Sequence, residues 1–517
     1  MTSTRRQMRS GSAALAGALT ALLALAVICA AAMTRGAGGF EYPLDDVYIH
    51  LAMAEQIRVG NYGVNPGEAA SASSSPLYPL LLTPFSGSGL QRWLPLAWNV
   101  LAVAAAGALF GVALARASLE RLAIPFAVAA PVALNMYGVA YTGMENLAHG
   151  TASLMIVLGL WAFIETRKVG WLLASGVLLA PALRLEGLAL ALAASGLVAA
   201  LGNRWGALVL AALALGPALG FAAFLAAQGL GPLPNSIVAK LASHPGTVEA
   251  PVIARVAGRL AGNLQILGGQ FVGGLTLSLA ILSIAVRRRA PEVGLFGLAI
   301  ATAGLAHLMF GSIGWMDRYE NYVVLSLAAA MALVLGLFSK AFKNGVLAVV
   351  MLSGLGVYLP EVVKSWVWNV AAMQLQHKQM ARFAKDFVKA PVAVMDIGHV
   401  SWRNPDYVLD LWGLASPEAL KARLDNATDG WVGRLARERD VRVVMIYEQK
   451  LTGAMDPAWV RLGRLRLESV PRALIGGFEV TFFATSSADV PALVSELKAW
   501  EQELPEGARF VHEGFDR

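Results

Sequence analysis

The chain has 517 residues, of which 57% are hydrophobic and only 15% charged, with a mean hydropathy of +0.58. These values exclude a soluble globular domain, and continuous Leu- and Ala-rich runs without alternation exclude a closed β-barrel, which leaves a polytopic helical membrane protein. The net charge of +7 falls largely at the ends of apolar runs, so topology explains it and no nucleic-acid partner is expected.

In chain order, a basic head (Arg5, Arg6, Arg9) precedes an apolar run over 12–33. This run resembles a signal peptide but lacks a polar cleavage region, and is taken as an uncleaved first span. Cys29 lies within it as the single cysteine, so no intramolecular disulfide forms. Further runs recur over 93–115, 122–141, 144–164, 169–183, 185–202, 206–228, 263–286, 293–310, 321–339 and 345–360, about eleven spans in all. The pair 169–183 and 185–202 is short and also suits re-entrant or broken helices. Arg116, Arg121, Arg167, Lys168, Arg204, Arg287 to Arg289, Lys340 and Lys343 fall on the same side as the N-terminus. By the positive-inside rule that side is cytoplasmic.

The other side collects the acidic loops: 34–92, 141–146, 184–187, 229–262 and 314–322. An odd number of spans puts the region 364–517 there too. That region is more polar and is expected to form a small α/β domain, distinct from the membrane domain 1–363. Strands are predicted at 391–395, 441–447 and 478–483, and helices at 374–389, 416–424 and 490–503.

The stretch Pro43-Leu-Asp-Asp-Val-Tyr-Ile-His50 places Asp45 and Asp46 just beyond the first span. Acidic side chains beside a bilayer are costly to desolvate and need a reason to be there. One reason is capping: apolar residues at helical spacing follow, and carboxylates favour a helix start. That spacing predicts a helix lying in the interface. The other reason is chemistry, favoured by the polar loop Asn65-Pro-Gly-Glu68 and the serines before Pro76.

These residues carry a resemblance. Asp-Asp-x-Tyr-Ile after the first span, followed by Asn-Pro-Gly-Glu and Ser-Pro-Leu, resembles the GT-C class of polyprenyl-phosphate-sugar glycosyltransferases. The bacterial branch that includes mycobacterial arabinofuranosyltransferases is the most similar. Gly143-Met-Glu145, Arg184-Leu-Glu-Gly187, Pro234-Asn-Ser with Ala239-Lys240, Asp317-Arg-Tyr319, Asp396-Ile-Gly398 and Asp410-Leu-Trp-Gly-Leu414 extend the likeness from about 40 to 415. Leu185 and His399 depart from the branch's usual proline and small residue. The resemblance implies a GT-C-like membrane domain, a lipid-phosphate sugar donor, an envelope glycan or lipid acceptor, and a site on the periplasmic face of the bacterial inner membrane.

The chemistry fits that class. A hydroxyl is a weak nucleophile and gains from a carboxylate base, for which Asp45 is chosen with Asp46 as its partner. A departing lipid phosphate calls for cations, and Lys240, Arg184 and Arg318 lie on the required side. Snorkelling is the rival role for Lys240, and a buried ion pair with a glutamate is the rival for Arg184. Glu145, Glu186, Glu68 and Asn235 are acceptor-binding or structural candidates. A divalent cation (Mg, Mn or Ca) on Asp46 and His50 is compatible with the residue types but not required, because their spacing matches no closed metal motif. The competing functions are a transporter or flippase of a lipid-linked substrate, or a non-catalytic partner in glycan assembly.

Overall fold

The computed structural model describes residues 2–36, 39–117, 119, 122–242, 251–470 and 472–513. Among them, seven helices are long and apolar enough to cross a membrane: Ser10–Met33, Gln91–Arg116, Asn146–Thr166, Arg204–Ala227, Leu267–Val286, Pro291–Phe310 and Lys340–Val388. Shorter apolar helices at Ala123–Ala133, Trp171–Leu183, Gly187–Ala200 and Asn321–Leu335 account for the remaining predicted runs. The run over 122–141 is interrupted at Asn135, whose φ of +53° ends one helix before Met136–Tyr141 begins. Every residue of Asn321–Leu335 is buried, as expected of a helix that is apolar all round and sits inside a bundle. Of the cations used for topology, Arg121 lies outside the described residues.

Helix α1 (Thr2–Met33) packs on the Leu94–Arg116 helix through small residues. A Cβ on Gly107 would sit 2.4 Å from the carbonyl oxygen of Gly17, and one on Gly111 would sit 2.3 Å from that of Ala13. Backbone atoms cannot yield there as a flexible side chain would. Gly107→Val is therefore expected to destabilise the protein by about 1–3 kcal/mol. Thermal unfolding of the full chain in detergent reads this, and an unchanged transition would show that the two helices separate easily.

Helix α2 (Asp46–Arg58) corrects the expectation of an interfacial helix. Val47 through Ala54 are all buried, so protein encloses it on every side. The C-terminal region supplies the cover that a one-sided pattern did not predict. The side chain of Asp45, the residue before the helix, makes no capping bond to it.

The last long helix also differs from expectation. It runs without a break from Lys340 to Val388, so no chain break marks residue 364 and the predicted helix over 374–389 is its continuation. Wide turns at Val362–Trp366, Met373–His377 and Phe383–Val388 interrupt its regular winding. Such turns often occur at functional sites.

Beyond it lies a sheet with strand order β2-β1-β3-β5-β4-β6, built from β1 (Val392–Val394), β2 (Val408–Asp410), β3 (Val443–Ile446), β4 (Val460–Leu467), β5 (Glu479–Ala484) and β6 (Ala508–His512). The first three pair in parallel and the rest antiparallel. The predicted strands correspond to β1, β3 and β5. Among those not predicted, β4 carries the half-buried Arg461 and Arg464 and the exposed Arg466 among its apolar residues, which hides its apolar alternation.

The first loop holds this region in place. The Asn65 amide donates to the Val408 carbonyl at 3.0 Å and accepts from the Val408 N–H at 2.9 Å, so it pairs with β2 as a neighbouring backbone would. Glu68 meets Arg439 at 3.1 Å. Buried Glu41 meets Lys378 at 2.9 Å. Burial would raise the Glu41 carboxyl, but the His399 imidazole 3.5 Å away and bonds from Tyr48 and Lys378 outweigh it and hold the group well below the usual carboxylate range.

Candidate active site

The loops after α1, between the short Trp171–Leu183 and Gly187–Ala200 helices, and before Asn321–Leu335 converge with the sheet on one cavity of about 410 Å³. Asp45, Asp46, His50, Arg184 and Arg318 line it from the membrane-spanning part, and His377, Asp396, Trp412, Tyr447 and Lys450 from the C-terminal part. Asp396, Trp412 and Tyr447 all lie just past the C-terminal ends of the parallel strands β1, β2 and β3. That is where open parallel sheets present ligand-binding residues.

Asp45 accepts the backbone N–H of Gly398 at 2.6 Å and that of His399 at 2.8 Å. Burial pushes its carboxyl up to about 6. Asp396 adds to the rise, while His377 and the two N–H donors oppose it. Gly398 is required by this contact, since a Cβ there would meet the Asp45 carbonyl oxygen at 2.1 Å. Gly398→Ala is expected to displace Asp45 and to cut any turnover that depends on its position at least about tenfold. Near-normal turnover in that variant would dissociate Asp45's position from function.

Asp46 is 35% exposed on the cavity and accepts from Arg318 at 3.1 Å. Arg318 is buried, its ring partner is Tyr319 at 5.1 Å, and its Nε and Nη1 have no hydrogen-bond partner among the described residues. A strained turn aims it. Gly314, Trp315, Met316 and Asp317 have φ of +92°, +50°, +60° and +48°, costing roughly 1–2 kcal/mol for each non-glycine residue. Glu320 closes the turn by accepting the Gly314 N–H at 3.0 Å. Strain of this kind gathers at functional sites.

Arg184 is engaged differently. It is 2% exposed, with Glu145 at 2.6 Å and Glu186 at 2.7 Å, and Ser74 at 3.4 Å. Two carboxylates therefore already answer its charge. His50 shares Ser73 at 3.2 Å and lies 3.8 Å from Glu145. The serine run thus serves His50, Arg184 and, through Ser75, the N–H of Tyr78 at 3.0 Å.

A model of a domain of unknown function (DUF8728) matches residues 368–483. No curated protein matches the sequence at a significant level. Among solved structures, ArnT from Cupriavidus metallidurans bound to undecaprenyl phosphate is similar at 13% identity and a TM-score of 0.48, over 91% of this chain and 98% of that one. The Archaeoglobus fulgidus oligosaccharyltransferase in the apo form is similar at 10% identity and a TM-score of 0.47, over 96% of this chain and 76% of that one. These likenesses are distant, with both TM-scores below 0.5.

Of the predicted site residues, Asp45, Asp46, His50, Arg184 and Arg318 meet at the cavity, with Glu145 and Glu186 paired behind to Arg184. Glu68 does not reach it and docks on Arg439. Asn235 donates to the Leu414 carbonyl at 3.1 Å and ties its helix to the C-terminal part. Lys240 lies on that helix, Asn235–Ala242, with its side chain outside the described residues. For a cation, the Asp46–His50 pair gains no third ligand among the described residues. One Asp46 oxygen accepts from Arg318, Nδ1 of His50 is shared with Ser73, and no group of three His, Cys, Asp or Glu is placed for a metal among the described residues.

Sequence reasoning missed His377, Tyr447 and Lys450. Asp396 accepts from the Tyr447 hydroxyl at 2.6 Å and lies 3.2 Å from Nε2 of His377. Burial would raise the Asp396 carboxyl, but these bonds outweigh it and lower it. The motif Asp396-Ile-Gly398 was visible as a signature. Its partners were not.

Proposed function

We propose that the chain is a membrane glycosyltransferase that moves a sugar from a polyprenyl-phosphate donor to a hydroxyl of a cell-envelope glycan or lipid on the periplasmic side. The observation that carries this is the pairing, in one cavity, of a carboxylate raised to about 6 at Asp45 with two buried nitrogens of Arg318 that have no partner among the described residues. A buried donor without a partner is costly and calls for a ligand. An anion such as a lipid phosphate satisfies it.

In this reading the acceptor hydroxyl gives its proton to Asp45 as its oxygen bonds to the anomeric carbon. The bond from that carbon to the phosphate oxygen breaks, and the electron pair leaves with the phosphate. Direct displacement inverts the anomeric configuration. Arg318 takes up the growing negative charge on the leaving phosphate, while Asp46 holds the guanidinium in place. Arg184 keeps the adjoining wall rigid through its two glutamates.

The test is turnover by purified protein supplied with polyprenyl-phosphate-linked pentoses and hexoses and with envelope glycan acceptors. The expected result is release of free polyprenyl phosphate together with a glycan one sugar heavier. Movement of the lipid-linked sugar between leaflets without any bond made would favour the flippase reading instead.

A further inference from the structure

The cavity has a second cationic pole that the transfer step above does not use. Its parts are Arg423, Lys450 and the loop around Trp412. Asp410 builds that loop. It accepts the N–H of Trp412 at 2.8 Å, of Gly413 at 3.0 Å and of Ala415 at 2.7 Å, while Gly413 takes a φ of +91°. This is the physical content of the Asp410-Leu-Trp-Gly-Leu414 motif.

On this rigid loop the Arg423 guanidinium lies 4.0 Å from the Trp412 ring centre. Its Nε donates to the Trp412 carbonyl at 3.1 Å, yet its Nη2 is buried without a partner among the described residues. Lys450 sits over the same ring at 5.6 Å and over Tyr447 at 4.9 Å, with no ion pair among the described residues. The carboxylates facing the cavity are already answered. Asp46 meets Arg318, Asp396 meets His377 and Tyr447, and Asp45 accepts two backbone N–H groups. Asp410, beside Arg423, is occupied by its own loop. Asp410 beside Arg423 and Asp396 near Lys450 attract these cations electrostatically, yet neither forms an ion pair with them among the described residues, which leaves the Arg423 Nη2 and the Lys450 ammonium open to a bonding partner.

We infer that Arg423 and Lys450 form an acceptor subsite for a saccharide bearing an acidic group, a carboxylate or a phosphate, close to the hydroxyl that is glycosylated. This rests on the glycosyltransferase reading. The donor phosphate is assigned to Arg318 on the membrane-spanning part, and the acceptor must reach Asp45 past the C-terminal wall that carries this pole. A held guanidinium with a spare N–H and an exposed ammonium beside it suit a planar or tetrahedral oxyanion.

The experiment is equilibrium binding to the full chain in nanodiscs of neutral lipid, with methyl glucuronide, glucose 6-phosphate and methyl glucoside as probes. At least one acidic sugar is expected to bind about tenfold or more tightly than the neutral one, as a charge-assisted hydrogen bond implies, and to weaken as salt rises. Whichever of the two acidic sugars binds identifies the acidic group. Arg423→Gln and Lys450→Gln should each erase most of that preference, and the exposed Lys450 can be changed without disturbing the fold. Arg318→Gln should leave it intact while weakening polyprenyl phosphate, which reports separately on the donor assignment. Equal binding of all three sugars, or an acidic preference lost in Arg318→Gln and kept in Lys450→Gln, would overturn the subsite.

Discussion

Asp45→Asn is expected to lower turnover by about 10²–10⁴-fold, the usual contribution of a positioned general base, while the protein remains folded. The amide has nearly the shape of the carboxylate but cannot take a proton from an alcohol at neutral pH. Of the two backbone N–H groups that Asp45 accepts, one loses its acceptor, at about 1–3 kcal/mol. Removal of a buried charge offsets part of this. Two pH profiles sharpen the expectation. Because the Asp45 carboxyl is raised to about 6 and a base must be ionised to act, wild-type activity should fall as pH drops through about 6. The stability effect has the opposite sign. A raised pKa favours the protonated form in the folded state, so this group's stabilising contribution is complete below about 4 and is lost as pH rises through about 6. Turnover and thermal unfolding measured side by side from pH 4.5 to 8 read both. An unchanged rate in Asp45→Asn would remove Asp45 as the base and leave Asp46 as the acid to test next.

What the sequence disclosed and what it concealed follow from how each residue is held. Asp45, Asp46, Arg184 and Arg318 were visible because charge beside apolar runs is rare, and because the order of spans puts those loops on one side. Their pairing was not visible. Only the structure separates Arg184, engaged by Glu145 and Glu186, from Arg318, two of whose nitrogens have no partner among the described residues. The apolar spacing after Asp45 suits a membrane surface as well as a protein interior, and only the packing of the C-terminal region on that helix distinguishes the two. Asn65-Pro-Gly-Glu68 looked like a polar loop at the site and instead pairs with β2 and Arg439. His377 was hidden in a long helix whose wide turn at Met373–His377 has no signature in residue type. Tyr447 and Lys450 follow β3 and join the cavity only through parallel pairing with β1, a long-range contact that local pattern does not encode.

Arg184→Leu is expected to cost about 3–5 kcal/mol, the penalty for leaving buried carboxylates without their cation. Against a total stability of roughly 5–15 kcal/mol, this should sharply lower the yield of folded protein. Glu145 is fully buried and would lose its 2.6 Å partner, and Ser74 would lose its link to the same guanidinium. Arg184→Lys should recover only part, because an ammonium cannot reach both glutamates in the geometry of a planar fork. Arg318→Gln provides the contrast. Asp46, its partner, is 35% exposed and can be solvated, so the fold should survive while affinity for polyprenyl phosphate drops about tenfold or more. The double variant Glu145→Gln with Arg184→Leu decides between roles for Arg184. If the residue is structural, neutralising its main partner restores much of the lost stability, since a buried pair removed whole costs less than a pair broken. If Arg184 instead grips the donor, Arg184→Leu alone would fold as well as the wild type, and only lipid-phosphate binding would suffer.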